Sequence, residues 1–145
     1  MTLTRDDIIA EARSWIGTPY QHQACAKGAG CDCLGLIRGL YRYTHGSEPP
    51  MPAAYAPEWA ELRKDDQLLH AAQRYLHEIE GQAQTPMPAE IILFRWAPQY
   101  PCKHLGVMSG SDRFIHAYEP VGVVESPLVP MWRNRIAARF SFFPN

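Results

Sequence analysis

The chain has 145 residues, 46% of them hydrophobic and 20% charged, which suits one globular domain and excludes collagen-like, disordered and membrane-spanning classes. Fourteen Lys and Arg stand against fifteen Asp and Glu, so there is no general basic field to gather a phosphate backbone, and nucleic acid is not an expected partner. The start, Met-Thr-Leu-Thr-Arg-Asp-Asp, has no apolar signal-peptide core, and the longest aliphatic or aromatic run is Ile91-Ile92-Leu93-Phe94; the expectation is synthesis in the cytoplasm without a signal peptide and no membrane insertion.

Thr4 and Asp7 make a capping box. A first helix should follow, with Ile8, Ile9, Ala12, Trp15 and Ile16 on one apolar stripe, ended by Gly17 and Pro19. Residues 18–32 read as a loop that delivers the chain to Asp32, a cap for a second helix in which Cys33, Leu36, Ile37 and Leu40 share a face. Gly46, four prolines and scattered aromatics fill 46–64. Arg63, Lys64, Asp65 and Asp66 form the charged start of a third helix over 66–80, closed by Gly81. The period then changes: 90–96, 104–109, 113–119, 121–125 and 135–143 are short, rich in β-branched and aromatic residues, and separated by turn formers. Helices first and five strands later predict an α+β domain with antiparallel pairing.

Cys33 stands at a helix start, where amide dipoles favour an anion and can lower a thiol pKa from about 8.5 to about 3.5–7.5. A nucleophilic thiol needs a base and a group that orients the base; His104 and His116 are the candidates. Each lies at a strand edge, and Gly110-Ser111-Asp112 between them is turn chemistry. An odd loop centred on Gly110 pairs 104 with 116, 106 with 114 and 108 with 112, putting both imidazoles on one face roughly 4.5–5.5 Å apart at Cβ. An even loop would send them to opposite faces. Taken singly, Cys33 is a small buried hydrophobe and each histidine a satisfied sheet residue; jointly the three outweigh that reading.

In order and spacing, Gly17-Thr18-Pro19-Tyr20, Asp32-Cys33-Leu34-Gly35-Leu36-Ile37, Ala89-Glu90-Ile91-Ile92-Leu93-Phe94, His104-Leu105-Gly106-Val107 and Phe114-Ile115-His116-Ala117 resemble the NlpC-type cell-wall cysteine peptidases. Trp15 to Tyr20 and Gly30 to Leu36 look most like the versions carried with tails of phages and gene transfer agents. The resemblance covers about 15–40 and 88–118, leaving a Pro-rich and helical insertion at about 46–86 within a single domain, 1–145. It implies a papain-like (NlpC-type) fold that cleaves peptidoglycan stem peptides, usually between D-glutamate and the following diamino acid, without metal or cofactor. By position Cys33 would be the nucleophile, His104 the base and His116 its orienting group. Tyr20 matches the family's cleft tyrosine, and Asp32 and the Cys33 amide lie where the oxyanion would be held. The implied partners are phage-like tail or baseplate proteins, and the implied place of action is the cell wall or periplasm, reached in a virion or tail particle. Leu34 stands where the family usually has serine, and Gln21-His22-Gln23 where it has aromatic and glycine residues.

Two rival readings use the same residues. Cys25, Cys31, Cys33, Cys102, His22 and His104 could furnish metal ligands, but one residue separates Cys31 from Cys33 and five separate Cys25 from Cys31, unlike the two to four usual in zinc pairs. A non-catalytic tail or baseplate component could keep the fold without the reaction. Trp15, Trp96 and Trp132 read as core anchors, and His45, His70 and His77 as solvated. Tyr55 and Trp59 read as a docking surface or a lid.

Overall fold

The computed structural model describes residues 3–48 and 66–144. Tyr55, Trp59, Arg63, Lys64 and Asp65 therefore lie outside the described residues. The capping box closes as expected, the Thr4 hydroxyl accepting from the Asp7 amide at 3.1 Å and the Asp7 carboxylate from the Thr4 amide at 2.8 Å. Helix α1 spans Arg5–Arg13 and buries Ile8, Ile9 and Ala12. Ile16, expected on the same stripe, is exposed: the helix ends at Ser14, whose amide already bonds back to Ala10, and beyond it the 3.6-residue period no longer governs. Trp15 is nonetheless buried.

The stretch expected as a loop contains a small hairpin, β1 (Cys25–Ala26) with β2 (Gly30–Cys31), and Tyr20 bridges Cys31 on its other side. Helix α2, Cys33–His45, follows directly and stops at Gly46, which adopts the left-handed conformation with φ 80°. It presses against the α1 end so closely that a Cβ on Gly39 would enter the Trp15 ring.

Helix α3 starts where expected, Asp66 accepting from the Leu69 amide, but spans Gln67–Tyr75 rather than 66–80. Leu76 is extended, and His77–Glu78 (β3) pairs with Ser141 and Phe140 at the sheet edge. That edge offers the backbone groups of 77–79 partners, with the Ile79 amide bonding the Arg139 carbonyl at 2.9 Å, so ladder pairing overrides helical periodicity.

The remaining strands are β4 (Ile91–Phe94), β5 (His104–Met108), β6 (Arg113–Tyr118), β7 (Gly122–Pro127) and β8 (Ile136–Ser141). They join β3 in an antiparallel sheet ordered β3-β8-β4-β5-β6-β7, six strands rather than the five expected. One-turn helix α4, Pro130–Arg133, precedes β8; Pro130 at its first position is compatible with a helix start. Both sheet faces are covered, explaining the unbroken apolar run of β4. Ile91, Leu93, Leu105, Val107 and Ile115 pack with Ile8, Leu36 and Leu40 of the helices. Ile92, Phe94, Met108 and Phe114 pack with Leu128, Trp132 and Ile136. Just before β4, Glu90 makes a bidentate pair with Arg139 of β8, at 2.7 and 3.0 Å and buried on both sides. Among the described residues no helix is long and apolar enough to cross a membrane.

Candidate active site

Three local devices place Cys33. Asp32 is 2% exposed, and its carboxylate oxygens accept from the amides of Gly35 and Gln23, each at 2.7 Å. The first bond caps α2; the second ties the 21–24 loop to that cap, with Gln23 held in the left-handed region at φ 64°. Gly35 completes the arrangement, since a Cβ there would drive into the Ala24 carbonyl. An acceptor-only carboxylate engaged by two amides has no donor to offer an oxyanion, so Asp32 acts here by positioning the helix start.

The half-buried Cys33 thiol meets the backbone amides of Leu105, Leu34 and Cys33 itself, all of which favour its anion. Burial outweighs them and, with the neighbouring Asp32 charge, pushes the thiol up to about 12. The direction is opposite to that expected from a helix start alone: desolvation disfavours the anion more than the first-turn amides stabilise it. The resting sulfur keeps its proton. Half-buried Tyr20 stands near Cys33 and Asp32; burial above all raises its phenol further above its usual range, with nearby negative charge adding to the rise, leaving a neutral hydroxyl.

His104 and His116 share a sheet face, as expected, but in a different register. The β5–β6 ladder pairs Val107 with Ile115 and Met108 with Phe114, so the turn is centred on Ser111 rather than Gly110. Continuing that register sets Gly106 opposite His116, and a Cβ on Gly106 would lie 3.4 Å from the His116 Cβ and 2.9 Å from the Phe114 ring. With no side chain at 106, the rings meet on the diagonal: His104 Nε2 is 2.7 Å from His116 Nδ1. The loop remains odd, which preserves the face; the two-residue shift changes only the partner.

His116 Nε2 lies 2.9 Å from Ser126 Oγ on β7. Since Phe114 is the ladder partner of Ser126 and Val124 that of His116, this step is also diagonal. Ser126, His116 and His104 thus cross three adjacent strands in one line. Ser126 was not among the expected site residues because the strand expected over 121–125 stopped one residue short; extending the alternation from Val124 puts Ser126 on the His116 face.

Aromatic rings enclose the pair. Trp132 lies 5.6 Å from His104 and 5.3 Å from His116 between ring centroids, and Trp96 stacks on His104 at 6.3 Å. Burial, with repulsion from His116 second, lowers His104 to about 3, and burial lowers His116 to about 4. Both rings are neutral at rest. The contacts couple the tautomers of the two rings: if His104 Nδ1 is to accept a proton, its Nε2–H donates to His116 Nδ1, and His116 Nε2–H donates to Ser126.

Trp15 and Trp132 are buried and Trp96 half-buried; His70 and His77 are exposed. His45, expected to be solvated, is exposed yet stacks between Tyr41 and Phe143. Cys102 receives Arg95 at 3.6 Å, and His22 is 3.9 Å from Asp32. Among the described residues no three His, Cys, Asp or Glu side chains are grouped so as to hold a metal ion.

No protein-family model matches the sequence. The chain is similar to gamma-DL-glutamyl hydrolase of Bacillus subtilis (strain 168), 23% identical over 130 residues, covering 89% of this chain and 27% of that protein. Among solved structures it is similar to an NlpC/P60 family protein from Bacillus cereus ATCC 10987, TM-score 0.71, 20% identical, covering 99% of this chain and 42% of that one. It is also similar to an NLP/P60 family lipoprotein-like protein from Staphylococcus aureus subsp. aureus Mu50, TM-score 0.65, 18% identical, covering 100% of this chain and 44% of that one. Against the NlpC/p60 domain of the peptidoglycan hydrolase SagA, the TM-score is 0.66 at 19% identity, with 96% and 99% covered. The chain therefore spans under half the length of the first three proteins and nearly all of the isolated domain. Its fold is the papain-like α+β arrangement of the NlpC/P60 structures, helices packed on an antiparallel sheet.

Proposed function

We propose that the chain is a cysteine endopeptidase that hydrolyses peptidoglycan stem peptides at the D-glutamyl–diamino acid bond, with Cys33 as nucleophile, His104 as base and His116 as its orienting group. The observation that carries this reading is the His104–His116 contact at 2.7 Å. It occupies Nε2 of His104 and leaves Nδ1 for a thiol that meets the amide of the next residue, Leu105. Substrate class is supported by the printed names of a glutamyl hydrolase and a peptidoglycan hydrolase among the similar proteins.

In this reading His104 Nδ1 takes the Cys33 proton as sulfur attacks the peptide carbonyl, and the C=O electron pair moves to oxygen. The Cys33 amide and the Tyr20 hydroxyl are the donors offered to that oxyanion. Collapse breaks the C–N bond, His104 returns the proton to the leaving amine, and water then hydrolyses the thioester by the same proton route. His116, backed by Ser126, holds the ring while its charge changes. The protein acts at the wall as a component of a phage-like tail, where tail or baseplate proteins are its partners; the motifs Trp15 to Tyr20 and Gly30 to Leu36 support that placement.

Digestion of defined muropeptides with the wild type and Cys33→Ala, read by mass spectrometry, tests the reaction. Cleavage between D-glutamate and the diamino acid by wild type alone is expected. Equal cleavage by Cys33→Ala, or none by either, overturns it.

A further inference from the structure

The hairpin that leads into the nucleophile carries two thiols the reaction does not use. Cys25 on β1 and Cys31 on β2 are direct cross-strand partners. The Cys31 amide donates to the Pro19 carbonyl and its carbonyl accepts from the Gln21 amide, each at 3.0 Å, while the Asp32 amide bonds the Ala24 carbonyl at 3.3 Å. Cys25 and Cys31 are therefore the non-hydrogen-bonded kind of antiparallel pair, in which opposed Cα atoms approach to about 4.5 Å with side chains on one face. A disulfide accepts Cα separations of about 4.4–6.8 Å. Both thiols are free. They share the α2 side of the hairpin: Cys31 is fully buried in the helix-side core and Cys25 packs against that core, its sulfur 3.0 Å from the Gly35 carbonyl oxygen.

We propose that Cys25 and Cys31 form an intramolecular disulfide when the protein meets a small disulfide oxidant such as oxidised glutathione, and that Cys33 stays outside it. Cys25 is the point of attack because it is half-buried whereas Cys31 is buried; burial raises its thiol above the usual range and Glu48 adds to the rise, while Arg38 and Arg42, the latter 3.9 Å from the sulfur, pull it back toward the thiolate. The Cys25 thiolate attacks one sulfur of the oxidant, whose S–S bond breaks and releases one thiol. The Cys31 thiolate then attacks the Cys25 sulfur of the mixed disulfide and releases the second. Two protein thiols are oxidised, the oxidant is reduced to two thiols, and the two protein protons end on them. Cys33 is kept apart because its sulfur turns to the Leu105 amide of β5. The bridge would staple the strand that leads into Asp32, the cap on which the nucleophile depends. Its readout is covalent and does not depend on the peptidase reading.

The full chain is incubated with excess oxidised glutathione, denatured, and titrated for thiols with a maleimide reagent. Four free thiols should fall to two in the wild type, from three to one in Cys33→Ala, and remain three in Cys25→Ser. Lys27 lies between the pair, so trypsin should yield fragments 14–27 and 28–38 joined covalently, with fragmentation assigning the bridge to Cys31. A bridge to Cys33 or Cys102, a bridge between two molecules, or four unreacted thiols in the wild type overturns the proposal.

Discussion

His116 sits opposite Gly106 in the strand ladder yet makes its closest polar contact with His104, two residues along, at 2.7 Å. A missing side chain at 106 is thus part of the histidine pair's construction. The same diagonal step recurs to Ser126 at 2.9 Å, so the relay is set by backbone pairing of β5, β6 and β7 and not by mobile side chains finding each other.

Replacing Ser126 by Ala removes one neutral hydrogen bond from His116. A bond of this kind is worth about 1 kcal/mol, which converts to roughly a fivefold loss of kcat with KM unchanged if Ser126 only orients the ring. Steady-state hydrolysis of a defined muropeptide checks this. A loss above about a hundredfold would give Ser126 a direct part in the chemistry.

Stability should depend on the two buried imidazoles. Their folded pKa values, about 3 and about 4, lie below the ordinary 6.5, so between 6.5 and that lower range the unfolded chain binds more protons. Unfolding free energy is then fully present above pH 6.5 and falls as pH drops through this window, by up to about 1.4 kcal/mol per pH unit for each histidine. Urea unfolding from pH 7.5 to 4.5 should show the loss, with a shallower slope in His116→Gln. A flat wild-type curve would contradict it.

Alkylation reports the resting state of the proposed nucleophile. With its pKa raised by burial and by Asp32, Cys33 should react with iodoacetamide at a rate still climbing beyond pH 9. A plateau reached below pH 8 would instead reveal a preformed thiolate–imidazolium pair.

Gly35→Ala poses two opposed effects. Ala in place of Gly ordinarily favours a helix by about 1 kcal/mol, but here its Cβ meets the Ala24 carbonyl, and overpacking costs about 1–3 kcal/mol. Backbone cannot yield as a side chain tip can, so the net is destabilising, and activity should fall further than stability because the cap beside Cys33 is displaced. Denaturant midpoints and kcat together test this.

Arg139→Leu leaves the buried Glu90 without its charged partner, only the Met87 amide among the described residues still donating to it, and should cost about 3–5 kcal/mol; the double variant with Glu90→Leu should recover most of that. Urea titration of the three variants decides it.

The elements were legible wherever local chemistry decides: the Thr4–Asp7 box, the Asp32 cap, and the short strands rich in β-branched and aromatic residues. What tertiary contact decides was not. The end of α3 depends on an open edge of β8 that local periodicity cannot reveal. The register of β5 and β6 followed face parity correctly, since a turn of odd length keeps it, yet missed by two residues because Gly110-Ser111-Asp112 admits more than one centre. An inward-facing Cys33 was legible from the helix face it shares with Leu36, Ile37 and Leu40, but the effect on its thiol was not: a helix start suggests a lowered pKa, and only the packing around the thiol shows desolvation winning. Ser126 was hidden by a strand boundary drawn one residue early.

The line from Ser126 through His116 to His104 makes the imidazoles gauges of assembly. A chain that collapsed with β6 one residue out of place could retain its helices and its thiol, yet both couplings would vanish because alternate side chains would swap faces. Nitrogen resonances of these two rings would therefore distinguish correctly aligned sheets from compact impostors in a refolding mixture, without any substrate present.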